Sequence, residues 1–411
     1  MLDELLKKTK EASYELARLS FEDRNKCLEL IKNALIKNYE FIIEENNKDI
    51  ENAKMNNLSE AMIDRLRLDE KRINSLASSI DNIIKLEEVV NIKLEEFIRP
   101  NGIRIEKVSV PFGVIGVIFE SRPNVCVDIS VLCLKTANAC VLKGGKEAIN
   151  TNLALTNVMK EAIKDVVNPD CICLISSTDR KVTSELITKK EYIDLLIPRG
   201  GKGLIQFVVG NAKIPYIETG AGNCHLYVSS DADLDMALNI AINAKYQRPS
   251  VCNAIETIVI DEEIKEEFLK LLAPKFKELG IEIRGDEETQ KVIDCIKATE
   301  DDYYTEYNDY IVSIKIVKDI NEAIKFINEH STKHSETIVT KDKEKAKLFL
   351  NEIDSACVYH NVSTRFSDGG EFGFGAEIGI STQKMHARGP MGLREICSYK
   401  YKIYGNGQVR G

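Results

Sequence analysis

No stretch of this chain comes near the roughly 20 consecutive apolar residues that a membrane-spanning helix needs. Its most apolar segments are short and interrupted. Met1 to Lys10 carries charges throughout, so no apolar core of signal-peptide length is expected there. Cysteines paired at zinc-ligand spacing are also missing. The eleven cysteines are an odd, scattered set, and Cys171 with Cys173 finds no second pair. No metal is expected, and reduced thiols in the cytoplasm are the simplest reading. Excess positive charge is absent as well. The formal net charge of −9 argues against non-specific nucleic-acid or membrane-surface binding but leaves room for a basic pocket. Two phosphate-binding spellings fail too. The glycine-lysine stretch near Lys143 lacks the spacing of a Walker loop. Gly373-Phe374-Gly375 near Gly379 follows no suitable strand, so it is not a dinucleotide fingerprint. Internal repeats, low-complexity tracts and flexible linkers are not found.

What is present is an ordinary globular composition, 44% hydrophobic and 29% charged, with length for two or three domains. The first stretch is helical: Leu2, Leu5, Leu6, Ala12, Leu16 and Leu19 keep a helical period. Ser20 is expected to cap the next helix, and another follows Asp69. Residues 97–111 read as a β-hairpin around the Asn101-Gly102 turn signal. From Gly113 strands and helices alternate, with strands expected at 114–119, 139–143, 171–175, 193–197 and 214–217. A second α/β run has strands at 255–260, 311–317, 336–339 and 357–360. Repeated βα units imply parallel sheets covered on both faces, with ligands beyond the carboxyl ends of strands. Residues 395–404 form a lone strand whose partner is either the hairpin or another subunit.

Six places carry residues that packing alone does not ask for. The first is the turn Gln247-Arg248-Pro249-Ser250-Val251-Cys252-Asn253, between an amphipathic helix and a β-branched strand. A cysteine there can be half exposed, with Arg248 and backbone N–H groups favouring thiolate; a cysteine that merely fills space is the bland alternative. Glu120-Ser121-Arg122-Pro123-Asn124 ends an apolar strand: Asn124 could donate to a developing oxyanion and Arg122 could hold an anion, or Asn124 could stabilise a turn. Lys143-Gly144-Gly145 suits a phosphate or ribose. Arg199-Gly200-Gly201-Lys202 precedes a helix and suits an anion. Glu218 ends a strand before a small-residue loop. Residues 361–370, with Ser363 and Arg365, have the make-up of a recognition loop.

Taken in order, these segments resemble the aldehyde dehydrogenase superfamily. The carrying stretches are Pro111-Phe112-Gly113-Val114-Ile115-Gly116 with Glu120-Ser121-Arg122-Pro123-Asn124, Val141-Leu142-Lys143-Gly144-Gly145, Ile197-Pro198-Arg199-Gly200-Gly201, Glu218-Thr219-Gly220, Gln247-Arg248-Pro249-Ser250-Val251-Cys252-Asn253, and Ser363-Thr364-Arg365-Phe366 through Gly379-Ile380-Ser381-Thr382. Cys252 follows Glu218 by 34 residues, the family's separation. The Arg-Pro forms of the Asn124 and Cys252 loops resemble the branch that reduces an acyl phosphate.

The resemblance implies an α/β fold of aldehyde dehydrogenase type, with two Rossmann-like parallel-sheet domains and a small β oligomerisation element. The expected cofactor-binding domain is 1–96 with 113–221, the catalytic domain 222–390, and the oligomerisation element 97–112 with 391–411. The implied reaction is NADPH-dependent reduction of L-glutamyl 5-phosphate to L-glutamate 5-semialdehyde, through a thioester on Cys252, in proline biosynthesis. Asn124 and the Cys252 N–H would hold the oxyanion. Lys143 would lie against the adenosine ribose, and Glu306 matches the family's nicotinamide-ribose carboxylate; Gly200 and Gly201 complete the cofactor set. Arg122, Arg199, Ser363, Arg365 and Lys202 are the substrate candidates, without assignment of one group to each. Glu218 activates water in hydrolytic relatives. Water at that step would waste an activated substrate, so here Glu218 is expected to orient groups or handle a proton. A homo-oligomer is implied, with glutamate 5-kinase a candidate partner. Another semialdehyde or acyl-thioester reductase of the superfamily is the alternative, and an inactive binding protein is the reading from a different class.

Overall fold

The computed structural model describes residues 2–410, apart from the side chains of Ala61 and Lys202. The chain separates into two compact units. One comprises Met1–Glu218, Phe374–Gly379 and Met391–Gly411, the other Thr219–Gly373 and Ile380–Pro390.

Five helices open the first unit, at Leu2–Leu16, Phe21–Lys37, Tyr39–Met55, Glu60–Leu66 and Glu70–Lys85. The expected start signals are used. Ser20 Oγ accepts from Asp23 N at 3.0 Å, and Asp69 Oδ1 accepts from Arg72 N at 2.7 Å. Each satisfies an N–H that its helix cannot. The apolar faces, among them Leu6, Leu28, Ile31, Ile73 and Ile80, are buried. Asp49 crosses to the head of helix Ile149–Ile163, accepting from Thr151 N at 2.8 Å and Thr151 Oγ1 at 2.6 Å.

Four parallel strands follow, in the spatial order Ile172–Leu174, Ala139–Lys143, Val114–Phe119, Leu195–Arg199. Val114–Phe119 and Ala139–Lys143 are buried throughout, as covered parallel strands are. The chain lays its second strand on one side of Val114–Phe119 and Leu195–Arg199 on the other. This is a topological switch point, where a crevice opens beyond the carboxyl ends. The Glu120 to Asn124 loop and Gly200-Gly201 stand there. The strand expected at 214–217 is only an isolated bridge from Tyr216 to Leu196, because Pro215 has no N–H to extend a ladder.

Strands Lys93–Ile98 and Arg104–Pro111 pair antiparallel. Their turn places Gly102 at φ +83°, a conformation open to glycine. Cys397–Tyr404 runs antiparallel along Arg104–Pro111, so the hairpin is the late strand's partner. This three-stranded sheet leaves Leu94, Phe97, Ile98, Tyr399, Tyr401 and Ile403 exposed.

The second unit holds seven parallel strands in the order Ile296–Lys297, Glu282–Gly285, Ile311–Val317, Ile255–Asp261, Cys224–Val228, Ser335–Val339, Cys357–His360. Cys224–Val228 was not expected, although it is buried along its length. Its polar residues hide it. His225 reaches Glu336 Oε2 from N at 2.7 Å and from Nδ1 at 3.0 Å, and Tyr227 OH donates to Asp261 Oδ1 at 2.6 Å. Polar groups are tolerated in a core when they are paired. Glu282–Gly285 and Ile296–Lys297 were also not expected.

Candidate active site

In the second unit, helix Leu234–Tyr246 starts at Asp233, whose carboxylate accepts from Met236 N at 3.1 Å. The turn after it delivers Cys252 just ahead of strand Ile255–Asp261. Cys252 thus stands at the amino edge of its sheet, whereas the first unit's candidate loops follow carboxyl ends. Lys245 donates to Glu256, both without solvent exposure, which pins the helix end to the strand. Burial pushes the acid up and the lysine down, and their attraction opposes both shifts.

Cys252 is partly buried, as is Cys295, while the other nine cysteines are buried. Burial pushes the Cys126 thiol up to about 12 and those of Cys27 and Cys173 up to about 11. It raises Cys295 too. The environment of Cys252 is marked by cations. Burial lowers the Arg365 pKa, Arg248 lowers it further, and Cys252 acts in the opposite sense. Arg248 and Cys252 are therefore each within electrostatic reach of Arg365. Nearby cations favour thiolate.

Two loops clamp this turn. Thr364 Oγ1 donates to Asn253 O at 2.7 Å, and Asn253 Nδ2 donates to Ser367 O at 2.9 Å and Arg365 O at 3.3 Å. Ser363 Oγ accepts from Arg365 N at 3.3 Å, so its hydroxyl shapes the turn Thr364–Phe366. Arg365 Nε donates to Gln247 Oε1 at 3.1 Å. From the other side, Gly222 N donates to Glu306 Oε1 at 2.7 Å. The α-carbon of Gly222 lies so close that an added Cβ would stand 1.5 Å from Cys252 O. That carbonyl also accepts from Cys224 Sγ at 3.2 Å. His334 Nδ1 lies 3.7 Å from Cys224 Sγ and 2.8 Å from Ser335 Oγ. Burial pushes His334 down to about 4, so it is neutral at pH 7.

In the first unit, Asn124 is the first residue of helix Asn124–Lys135, and its Nδ2 donates to Asp128 Oδ2 at 3.0 Å. Ser121 adopts φ +46°, a left-handed backbone for a residue with a Cβ. It is held there by Glu147 Oε1, which accepts from Ser121 N at 2.8 Å and Ser121 Oγ at 2.9 Å. Gly201 N donates to Glu120 Oε2 at 2.9 Å. The helix N-terminus that the sequence marks for an anion therefore holds a carboxylate of the chain itself. Lys143 is buried and donates from Nζ to Gly144 O at 2.9 Å; burial lowers its pKa. Arg199 ends its strand partly buried, Arg122 is exposed, and Glu218 closes the unit partly buried. The Lys202 side chain lies outside the described residues.

The fold thus gathers Arg122, Asn124, Lys143, Arg199, Gly200 and Gly201 at the carboxyl end of the four-stranded sheet. Cys252, Glu306, Ser363 and Arg365 belong to the second unit. Sequence reasoning gave no role to Gly222, Thr364, Asp128, Glu120 or Glu147. Each stands within a few residues of a named one. The partners of Gly222, Thr364, Glu120 and Glu147 are distant in sequence, so no local pattern points to them; Asp128 lies one helical turn after Asn124, a spacing the sequence does show. Among the described residues no group of three or more His, Cys, Asp or Glu is arranged to hold a metal ion, and no helix is long and apolar enough to cross a membrane.

The model of the aldehyde dehydrogenase family matches residues 1–294 and 296–401, and the chain belongs to that family. Its relatives include the gamma-glutamyl phosphate reductase of Clostridium perfringens strain SM101, 52% identical over 406 residues and 98% of each chain. That of Nautilia profundicola is 50% identical over 410 residues, 100% of both. The crystal structure of gamma-glutamyl phosphate reductase from Thermotoga maritima matches with a TM-score of 0.99 at 45% identity, over 100% of both chains. An acetylating aldehyde dehydrogenase from Geobacillus thermoglucosidasius shares the fold at a TM-score of 0.70 and 16% identity.

Proposed function

We propose that the chain reduces L-glutamyl 5-phosphate to L-glutamate 5-semialdehyde with release of phosphate, using NADPH, in proline biosynthesis. The observation that carries this reading is Cys252. It is a partly buried thiol on a turn held by the Thr364–Asn253 and Asn253–Ser367 bonds, with Arg365 in electrostatic reach. Relatives half identical to the chain from end to end carry the name gamma-glutamyl phosphate reductase.

The Cys252 thiolate adds to the acyl carbon. The carbon–oxygen bond to phosphate then breaks and a thioester remains. A thiolate suits both halves of the reaction, because it attacks readily and leaves again. A bound nicotinamide supplies the hydride to that carbon. The alkoxide then re-forms a carbonyl, the carbon–sulfur bond breaks, and the thiolate is restored. Each addition places negative charge on the substrate oxygen. The assigned donors are the Cys252 N–H and Asn124 Nδ2, whose second hydrogen is available beyond the one given to Asp128. Losing one such donor costs on the order of 3 kcal/mol. Arg122, Arg199, Arg365 and the Ser363 hydroxyl answer the phosphate and the α-carboxylate. Glu218 orients groups or handles a proton.

The first unit's residues fit a dinucleotide. Its switch point is the expected place, Gly144 and Gly200 leave no room for a Cβ, and beside Gly201 the nearest atom to an added Cβ is 3.9 Å away. Lys143 and Glu306 are assigned to the two riboses. On this reading 1–96 with 113–221 bind the cofactor and 222–390 carry the chemistry. The exposed Phe97, Ile98, Tyr401 and Ile403 fit a role for 97–112 with 391–411 in joining copies of the chain. The kinase that makes the acyl phosphate is a candidate partner.

The test is the reverse reaction. With glutamate semialdehyde, oxidation should require inorganic phosphate and proceed faster with NADP than with NAD. Oxidation that runs equally well without phosphate, giving free glutamate, would contradict the reading.

A further inference from the structure

We propose that the Asp128 carboxylate receives the α-ammonium group of the substrate, beside the Asn124 amide assigned to the reacting carbonyl oxygen. The inference rests on the reaction proposed above and deepens it. A glutamyl phosphate carries three charged groups, and the cationic candidates Arg122, Arg199 and Arg365 answer only the two anions. Its ammonium needs an acid. Near Asn124 two other carboxylates are already engaged, Glu120 with Gly201 N and Glu147 with Ser121.

Asp128 is placed for the task. It stands four residues after Asn124, one helical turn on, so both side chains project from the same face. Their contact is 3.0 Å, Asn124 Nδ2 to Asp128 Oδ2. A carbonyl oxygen bonded to that amide and an ammonium bonded to the same Asp128 Oδ2 would be separated by at most about 9 Å, allowing about 3 Å for each bond. The substrate's carbonyl oxygen and ammonium nitrogen, five bonds apart, reach about 6 Å in an extended chain, which lies inside that limit. Asp128 is also the one acid of helix Asn124–Lys135, whose other residues are mostly buried and apolar. Burial pushes its carboxyl up to about 6, although the Asn124 hydrogen bond and Arg199 both act to lower it. Asp128 nevertheless keeps part of its surface exposed, so a ligand can reach it, and acids shifted in this way concentrate where ligands bind.

The test compares L-glutamate 5-semialdehyde with 5-oxopentanoate, which lacks the amino group, in the phosphate-dependent reverse assay. Wild type and Asp128→Asn are measured with both. The expected result is a fall in kcat/KM for the amino substrate of about 10- to 100-fold in the variant, the range of a lost charge-assisted hydrogen bond. The value for 5-oxopentanoate should change by less than about threefold. The ratio of variant to wild type cancels the cyclisation of the amino substrate. Asp128→Glu should restore part of the preference. An equal fall with both substrates would show that Asp128 only positions Asn124, and would overturn the proposal. So would a wild-type enzyme that accepts the two aldehydes equally. Absence of phosphate-dependent turnover with either aldehyde in the wild type would instead overturn the reaction itself.

Discussion

Gly222 lies against the carbonyl of Cys252 so closely that a methyl group at 222 would sit 1.5 Å from that oxygen. The contact is with backbone, which cannot swing aside as a flexible side chain can. Gly222 is in turn fixed by its N–H on Glu306. The place of Cys252, the proposed nucleophile, is therefore set by a glycine thirty residues earlier in the chain.

Gly222→Ala should push the Cys252 turn out of position. Misplacement of a reacting group by about 1 Å can cost on the order of 100-fold in rate, and a fall in kcat of that size is expected. Single-turnover kinetics would check it, with circular dichroism to confirm that the variant is folded.

Thr364→Val should remove the bond to Asn253 O while keeping the side chain's shape. It leaves a buried carbonyl without its donor, at a cost of about 1–3 kcal/mol. Asn253→Asp should do more harm, because a carboxylate would then face the carbonyls of Arg365 and Ser367. Urea unfolding would give the stability loss. Alkylation rates would report slower reaction at Cys252 in both variants.

Not all of this was legible beforehand. The alternation of strands and helices could be read from Gly113 onward because those strands are plain apolar runs. The strand Cys224–Val228 could not, since His225 and Tyr227 look wrong for a core until Glu336 and Asp261 are seen to pair with them. The hairpin and its turn were written in Asn101-Gly102. The partner of Cys397–Tyr404 was narrowed to two candidates, and Arg104–Pro111 is the one observed. At the candidate site, the cysteine loop, Asn124 and Arg365 stood out as residue types. The clamp of Thr364 on Asn253 did not, for it spans 111 positions of sequence.

His334 should give the protein a measurable acid limb. Its folded pKa, about 4, lies below the usual 6.5. The unfolded chain therefore binds a proton in this window that the folded one refuses, and stability rises with pH there. The contribution is complete above about 6.5 and is lost as pH falls toward 4. A shift of that size corresponds to roughly 3 kcal/mol. Urea midpoints of wild type should fall across this window, and those of His334→Asn should fall less steeply. Parallel curves would refute the assignment.

Thiol chemistry should single out one cysteine. Iodoacetate, an anion drawn by Arg365 and Arg248, should label Cys252 first and Cys295 later. The nine buried thiols should react only on unfolding. Peptide mapping by mass spectrometry gives the order, and early labelling spread across several cysteines would count against a preset thiolate.

The most direct measurement is a rapid quench in acid after mixing the enzyme with glutamyl phosphate, generated in place, without a nicotinamide. Mass analysis should find one glutamyl group on the peptide that carries Cys252, removable by hydroxylamine, and none in Cys252→Ser. An unmodified Cys252 peptide, or a serine variant that still turns over at the wild-type rate, would contradict the account.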